Sequence, residues 1–151
     1  YYYAADRSGC GAQFAKIRKI WENRDVVVVE GEKTHNGVGN DLLDTARSVE
    51  RIICPPSNAY GAIPAILDAC TAYDKDRLFL LSVGVAAKFL AVDLFERGYR
   101  VLDIGNLDME YEWFVTRSPG KRKLAKHDLV TEEANRAAGH TAYLEQIKVR
   151  I

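Results

Sequence analysis

The acidic residues of the segment 101–116 carry the strongest chemical signal in this sequence. Four of them, Asp103, Asp108, Glu110 and Glu112, lie in a stretch without lysine or arginine. Asp108 and Glu110 are two residues apart, so an extended backbone would direct both carboxylates to the same face. Paired carboxylates suit Mg²⁺ or Mn²⁺, which also bind substrate phosphates and neutralise charge on a leaving diphosphate. We therefore predict a divalent metal site at Asp108 and Glu110, with a solvated acidic loop as the alternative.

Two further glutamates are candidates for a general base that accepts the proton of an acceptor hydroxyl. Glu30 ends an apolar run, where an unpaired charge is costly to bury. It is therefore predicted to act as a base, as the acceptor for a substrate hydroxyl, or as the partner of a lysine or arginine. Glu112 is the second candidate base, and the sequence does not decide between the two.

Glycines and short polar residues that follow the apolar runs are the candidates for binding a nucleotide-sugar. Gly84 opens a helical pattern directly after such a run, so its backbone N–H groups could hold a diphosphate, with Lys88 one turn further on. Tight packing of strand against helix is an equal alternative for Gly84. The complete set of predicted binding residues is Gly31, Gly37, Gly39, Asn40, Asp41, Asn58, Gly84 and Lys88.

The loop Gly37–Asp41 matches a dinucleotide fingerprint poorly. Leu42 occupies the third glycine position of that motif, which disfavours an NAD-type oxidoreductase. Asp41 and Asp44 are expected in the first turn of a following helix, where they would repel a phosphate. The loop is therefore predicted to cap that helix or to hydrogen-bond a ribose or sugar hydroxyl.

Short apolar runs and helical patterns alternate along the chain and must position these groups. Runs typical of strands buried on both faces of a parallel sheet occur at Val26–Glu30, Arg51–Cys54, Leu78–Val83 and Arg100–Ile104. Helices are predicted at Ala12–Asn23, Asp41–Arg47, Ala62–Tyr73 and Val85–Arg97. The alternation predicts an α/β fold, a Rossmann-like parallel sheet of four or more strands covered by helices. Ligands of such sheets bind beyond the carboxyl ends of the strands, where the candidate residues fall.

The last part of the chain has weaker patterns. The segment 116–126 is polar and basic, and we expect either a flap that closes over phosphates or a solvated loop. Its basic residues are Arg117, Lys121, Arg122, Lys123 and Lys126. Residues 131–138 are predicted to form a helix capped by Thr131, and residues 143–151 a helix or a strand.

Length and composition indicate one domain and disfavour several classes of function. The 151 residues suffice for a single domain, and 21 basic against 21 acidic residues disfavour a nucleic-acid binder. No apolar stretch reaches the ~20 residues of a membrane span. Three cysteines without close spacing, with Cys54 and Cys70 in apolar surroundings, favour reduced core thiols and a cytoplasmic location. Because residue 1 is tyrosine and the only methionine is Met109, we expect a trimmed chain or a fragment.

Four segments, taken together, resemble the GT-D-type glycosyltransferases, formerly known as DUF1792. They are Trp21–Gly31, Gly37–Leu42, Arg51–Pro55 with Asn58–Ala59, and Leu102–Gly105 with Asp108–Phe114, the last reading D-x-E-Y-E-W-F. The resemblance implies a Rossmann-like fold of a separate subtype. It also implies transfer of a sugar, typically glucose, from a UDP-sugar to a glycan on a bacterial surface adhesin. The D-x-E acids, here Asp108 and Glu110, would bind a metal that the activity needs.

The chain departs from the family pattern at two places. Gly84-Val85-Ala86-Ala87 stands where members usually have a Gly-Pro-Thr-Ala-like helix start, so a threonine hydroxyl for a phosphate is missing. The Arg-Phe-Gly-Asp-Gly-Glu-like motif that family members carry near their N-terminus has no match here. Residues 1–151 are therefore expected to be the C-terminal part of such an enzyme.

The leading hypothesis is a metal-dependent glycosyltransferase domain whose partners are a UDP-sugar donor and a glycan or glycoprotein acceptor. A non-catalytic module that binds a nucleotide or a partner is the second hypothesis, and an NAD-type oxidoreductase is the third. The sequence leaves open the donor sugar, the acceptor and whether the chain forms a homo-oligomer.

Overall fold

The structure, a computed structural model, describes residues 7–151, which form five strands and six α-helices. The strands are β1 (Asp25–Gly31), β2 (Ser48–Cys54), β3 (Leu78–Ser82), β4 (Arg100–Asp103) and β5 (Ile147–Arg150). The helices are α1 (Arg7–Arg18), α2 (Ile63–Thr71), α3 (Ala86–Glu96), α4 (Leu107–Val115), α5 (Glu132–Ala137) and α6 (Thr141–Gln146), with 3₁₀ turns at Ala59–Ala62 and Ala125–Asp128. None of these helices has the length and hydrophobicity needed to cross a bilayer.

The five strands form one parallel sheet in the order β4-β3-β1-β2-β5. Strand β1 lies at the centre, and its four valines are completely buried. Val27 and Val29 contribute to a core shared with α2 and α3, whereas Val26 and Val28 contribute to a core shared with α1 and α4. Because β1 is covered on both faces, it reads as a continuous apolar run rather than an alternating one.

The connections between the strands create a crevice at the carboxyl edge of the sheet. The chain runs from β1 to β2 on one side of the central strand and then crosses to β3 on the other side. A reversal of strand order of this kind separates the segments that leave neighbouring strands and opens a ligand site between them. The segments after β1, β2, β3 and β4 together line one cavity at this edge.

The α/β class and the four predicted strands are confirmed, and so are α2 and α3 within the helices predicted at 62–73 and 85–97. α3 is followed by Gly98, whose φ of +86° is left-handed and suits a glycine. The predicted cap of α5 is confirmed, since the hydroxyl of Thr131 accepts the N–H of Ala134 at 3.1 Å. The open prediction for 143–151 resolves into the end of α6 and the edge strand β5. α1 spans residues 7–18 rather than the predicted 12–23.

The helix predicted at Asp41–Arg47 is wrong, because contacts with distant residues hold this segment in turns. The N–H of Asn23 donates to the carbonyl oxygen of Thr45 at 2.9 Å. The indole N–H of Trp21 donates to the carbonyl oxygen of Leu42 at 3.0 Å. Carbonyl groups that a helix would use internally are therefore bonded to the segment before β1.

A helix forms where the sequence analysis predicted an extended loop, so the premise of extended backbone at Asp108 and Glu110 is wrong. Leu107, Tyr111 and Phe114 recur at helical spacing and pack into the core beneath α1. Burial of this apolar face stabilises the helical conformation of α4, although acidic residues separate its apolar positions in the sequence.

The prediction of core thiols is confirmed for Cys54 and Cys70, which are free and almost completely buried. Burial raises the pKa of each thiol to about 12. Both cysteines therefore remain protonated at neutral pH and contribute to the core as small apolar side chains.

Candidate functional site

The cavity at the carboxyl edge of the sheet has a volume of about 700 Å³. Four of the predicted binding residues line it: Gly31 at the end of β1, Asn58 after β2, Gly84 after β3, and Lys88 in the first turn of α3. Its size is that of a pocket for a ligand as large as a nucleotide. The sheet topology therefore brings together residues that are up to 57 positions apart in the sequence.

The amino end of α3 forms one wall of this cavity. Gly84 has a left-handed φ of +60° and is exposed, and a Cβ placed on it would meet no atom within 4 Å. No side chain caps α3. The N–H groups of Ala87 and Lys88 donate to the carbonyl oxygens of Gly84 and Val85, at 3.1 and 3.2 Å, so an anion in the cavity would be bound by the N–H groups that precede them at this helix end. The alternative explanation for Gly84 was close packing of strand against helix, and the open space around the residue disfavours it.

Polar contacts hold the rest of the cavity wall in place. The ammonium nitrogen of Lys88 lies 3.6 Å from Oδ2 of Asp103, and 73% of the lysine side chain is exposed. Oδ1 of Asp103 accepts the N–H of Gly105 at 3.0 Å, and the hydroxyl of Ser82 donates to the carbonyl oxygen of Gly105 at 2.8 Å. Lys88 thus lies on the cavity wall with most of its side chain exposed, in a position from which its ammonium can contact a phosphate.

Asn58 adopts a left-handed backbone conformation, with φ of 53°, at the start of the 3₁₀ turn that follows β2. Asparagine tolerates this region better than most residues do. Its exposed side chain and the backbone of Pro55 and Pro56 lie along the cavity beside Gly31. An amide at this position can hydrogen-bond a base or a ribose.

Four more of the predicted residues, Gly37, Asn40, Asp108 and Glu112, form a second, acidic cluster between the loop after β1 and α4. The backbone N–H of Gly37 donates to Oδ1 of Asp108 at 2.8 Å. The side-chain amide of Asn40 donates to the same oxygen at 3.0 Å and to Oε2 of Glu112 at 2.7 Å. Asp108 is only 2% exposed, so these contacts offset the cost of burying its charge.

Helical spacing changes which carboxylates can share a ligand. On a helix, residues two positions apart point to different faces, whereas residues four positions apart lie on the same face. Asp108 is accordingly joined to Glu112 through the amide of Asn40, whereas helical spacing places Glu110 on a different face of α4 from Asp108. The metal role of Asp108 and Glu110 stays a prediction, but the spacing that motivated it does not place the two carboxylates together.

A lysine ammonium already lies in the acidic cluster. Nζ of Lys126 is 2.6 Å from Oδ2 of Asp108 and 3.8 Å from Oε2 of Glu112, and it donates to the carbonyl oxygen of Val38 at 2.9 Å. Within the described residues 7–151, no group of three or more acidic, cysteine or histidine side chains is arranged to hold a metal ion. A divalent ion therefore does not fit this cluster in the arrangement that the structure shows.

Glu30 is the partner of an arginine, which was one of its three predicted roles. Its Oε1 lies 2.5 Å from a guanidinium nitrogen of Arg51, and its Oε2 accepts both the backbone N–H and the side-chain amide of Asn36, at 2.7 and 2.8 Å. The glutamate is completely buried. A substrate hydroxyl cannot reach it in this arrangement, so its contacts are those of a structural residue.

Asp41 does not begin a helix and instead links α1 to α4. Its carboxylate accepts the phenol of Tyr111 at 2.6 Å and a guanidinium N–H of Arg18 at 2.7 Å. The phenol hydrogen bond and the nearby guanidinium hold the pKa of Asp41 below its ordinary value. Burial and the contact with Asp41 raise the pKa of Tyr111 to about 12. Through these contacts Asp41 connects α1 to α4, and its role in binding a substrate stays a prediction.

The two glycines of the 37–41 loop have left-handed backbone conformations, with φ of +74° at Gly37 and +77° at Gly39. A Cβ on Gly37 would lie 2.9 Å from the side chain of Leu43, whereas one on Gly39 would meet nothing within 4 Å. Gly39 also borders a second cavity of about 510 Å³ beside Glu112 and Lys126. The glycines therefore shape the acidic cluster rather than the carboxyl-edge cavity.

A family model described as "Glycosyltransferase GT-D fold" matches residues 1–133, most of the chain. The chain belongs to the GT-D glycosyltransferase family. The family and the fold subtype that the four sequence segments indicated are thereby confirmed.

Named relatives of this GT-D chain are streptococcal. It is 46% identical over 123 residues to "Probable glycosyl transferase Gly" of Streptococcus gordonii, a match that covers 81% of this chain and 18% of the relative. It is 44% identical over 123 residues to "Glycosyltransferase GlyD" of Streptococcus pneumoniae, covering 81% of this chain and 15% of the relative. The chain thus spans less than a fifth of the curated relatives that it matches.

Solved structures agree on the GT-D fold. A glycosyltransferase (DUF1792) from Streptococcus sanguinis superposes with a TM-score of 0.84 at 38% identity, covering 97% of this chain and 56% of the other. A DUF1792 structure described as having a distinct glycosyltransferase fold superposes with a TM-score of 0.84 at 34% identity, covering 97% and 54%. The GT-D chain therefore spans just over half of these structures.

Sequence reasoning did not identify three residues that contact the candidate acids, namely Asn36, Arg51 and Lys126. Arg51 and Asn36, which satisfy the carboxylate of Glu30, are 21 and 6 positions away from it. Lys126 was assigned to a phosphate flap or a solvated loop, although its side chain is only 10% exposed. The cost of burying an unpaired charge at Glu30 was the one sequence signal for such a contact, because a buried acid requires a partner such as an arginine or lysine.

Proposed function

We propose that this GT-D domain transfers a sugar from a nucleotide-sugar donor to a hydroxyl acceptor, and that the donor binds in the carboxyl-edge cavity. The observation that carries the proposal is the 700 Å³ cavity at the reversal of strand order, bordered by the uncapped amino end of α3. A donor diphosphate needs such a place, because backbone N–H groups and the helix dipole both favour an anion there.

The finer proposal follows the family resemblance. The donor is a UDP-sugar, with glucose as its sugar, and the acceptor is a glycan on a bacterial surface glycoprotein. The streptococcal relatives named as glycosyltransferases support this class of reaction. A cytoplasmic site of action agrees with a donor of this kind.

The protein supplies three kinds of group for the transfer: backbone N–H donors and an ammonium for the diphosphate, and a base for the acceptor. The acceptor oxygen attacks the anomeric carbon, the bond from that carbon to the diphosphate oxygen breaks, and the acceptor proton passes to a base. Charge developing on the leaving diphosphate is met by the N–H groups at Gly84 and by the ammonium of Lys88. Glu112 is the proposed base, because it is 21% exposed beside a second cavity whereas Glu30 is enclosed.

The sequence analysis predicted a metal-dependent transfer, with Asp108 and Glu110 as the metal ligands. The acidic cluster at Asp108 does not accommodate a divalent ion while Lys126 occupies it. The positive charge in the proposal therefore comes from Lys88 and from the helix dipole of α3.

The test compares UDP with uridine by isothermal titration calorimetry. Lys88→Met should weaken UDP binding about tenfold, the equivalent of about 1.4 kcal/mol, and leave uridine binding unchanged, because uridine has no phosphate. Lys75→Met is the matched control, since Lys75 precedes β3 and lies at the opposite edge of the sheet.

Equal UDP affinity of Lys88→Met and Lys75→Met would contradict the placement of the diphosphate. Turnover is measured separately as release of UDP from UDP-glucose with a glycan acceptor. Tight UDP binding without turnover would support the binding module of the second hypothesis instead of the transferase.

A further inference from the structure

The side chain of Lys126 is unusual for a residue in a basic, polar loop. It follows a run of exposed basic residues, yet only 10% of the lysine side chain is exposed. Lysine is almost never buried without a partner, and this one has two carboxylates and one carbonyl oxygen around its nitrogen.

The three oxygens around Nζ come from two parts of the fold, the loop after β1 and helix α4. Val38 belongs to the loop after β1, and Asp108 and Glu112 belong to successive turns of α4. Oxygen atoms of carboxylates and carbonyls are also the ligands that hard divalent cations prefer. The cluster therefore has the donor set of a cation site, and the cation in it is an ammonium supplied by the chain.

We propose that Lys126 is the resident cation of the acidic cluster, and that Lys126 and a divalent ion exclude each other from Asp108 and Glu112. The second carboxylate oxygen of Asp108, Oδ2, supports this assignment. It is buried and has no hydrogen-bond partner of good geometry, so the nearby ammonium is what balances its charge. Removing the ammonium would leave two carboxylates facing each other across an empty position.

This inference deepens the proposed function, because it replaces the metal expected from the family resemblance with a group of the chain itself. It rests on the proposed function only for its relevance to sugar transfer. Its test measures binding of Mn²⁺ alone, so it can fail while UDP binding is confirmed, and it can hold while UDP binding fails.

The experiment is an electron paramagnetic resonance titration of free Mn²⁺ against the wild-type chain, Lys126→Met and Lys123→Met. Lys126→Met should bind one Mn²⁺ at least about tenfold more tightly than the wild-type chain does. Lys123→Met, an exposed lysine of the same loop, should match the wild-type chain. Adding Asp108→Asn to Lys126→Met should abolish the gain.

Two results would overturn the proposal. One is equal Mn²⁺ affinity of the wild-type chain and Lys126→Met. The other is a loss of Mn²⁺ affinity when Asp108→Asn is introduced into the wild-type chain, because this would show that the metal already uses Asp108 beside the lysine. The second comparison does not need Lys126→Met to fold, and circular dichroism of each variant confirms which proteins are folded.

Discussion

The ion pair of Glu30 and Arg51 at the centre of the sheet gives the sharpest stability prediction. Both side chains are almost completely buried, at 0% and 3% exposure. Arg51 also donates to Oε1 of Gln146 at 2.7 Å and to the carbonyl oxygen of Asn36 at 2.9 Å, and its guanidinium carbon lies 4.8 Å from the ring centre of Tyr143. One arginine therefore joins β2 to the loop after β1 and to α6.

Arg51→Met should lower the free energy of unfolding by about 3–5 kcal/mol, the range found when one partner of a buried ion pair is removed. Methionine retains much of the apolar stem, so the loss reflects the uncompensated carboxylate of Glu30 rather than a cavity. Arg77→Met is the matched control. Arg77 pairs with Glu50 at 3.1 Å where both are about one quarter exposed, and it should cost about 0–1 kcal/mol.

The assay is equilibrium unfolding in urea, followed by circular dichroism and by tryptophan fluorescence, with equal slopes required before the free energies are compared. The double variant Glu30→Gln with Arg51→Met should recover part of the loss, because the buried charge is removed together with its partner. A cost of Arg51→Met no larger than that of Arg77→Met would refute the reasoning.

Two further predictions concern the loop after β1 and its contact with α4. Gly39→Ala should lower the free energy of unfolding in urea by about 1–2 kcal/mol, through the strain of a left-handed alanine alone. Gly37→Ala should lower it by about 1–3 kcal/mol more, because its Cβ would also overlap the side chain of Leu43. Equal losses in the two variants would contradict this expectation. Tyr111→Phe should raise the pKa of Asp41, read from its side-chain carbon resonance by NMR, because the phenol bond holds that pKa below its ordinary value. The contact should stabilise the folded state fully above about pH 4, and this stabilisation should decline as the pH falls through the lowered pKa of Asp41. The reason is that a depressed carboxyl pKa stabilises the folded state only while the acid is ionised. A difference in unfolding free energy between Tyr111→Phe and the wild-type chain that does not change with pH would contradict the assignment.

The central strands could be predicted from the sequence because they are buried on both faces and leave continuous apolar runs. The edge strand β5 was predicted only as an alternative to a helix, because the strand has four residues and directly follows the last residue of α6. α4 was missed for a different reason. Its apolar positions, among them Tyr111, share the segment with acidic residues that drew the interpretation towards a loop.

The composition of the carboxyl-edge cavity was predictable because topology alone decides it. Gly31 ends β1, Asn58 and Gly84 follow β2 and β3, and parallel strands present such residues at one edge. The acidic cluster was not predictable in the same way. Asn40 and Asp108 are 68 positions apart, and Lys126 and Val38 are 88 apart. Contacts of this range depend on how loops fold over the sheet, which residue spacing does not encode.

The most direct test of the central claim is a crystal structure of the chain soaked with UDP. We predict that the diphosphate lies against the amino end of α3, with phosphate oxygens within hydrogen-bonding distance of backbone N–H groups beside Gly84 and close to the ammonium of Lys88. UDP bound in the cavity beside Lys126 and His140, with the carboxyl-edge cavity empty, would contradict it.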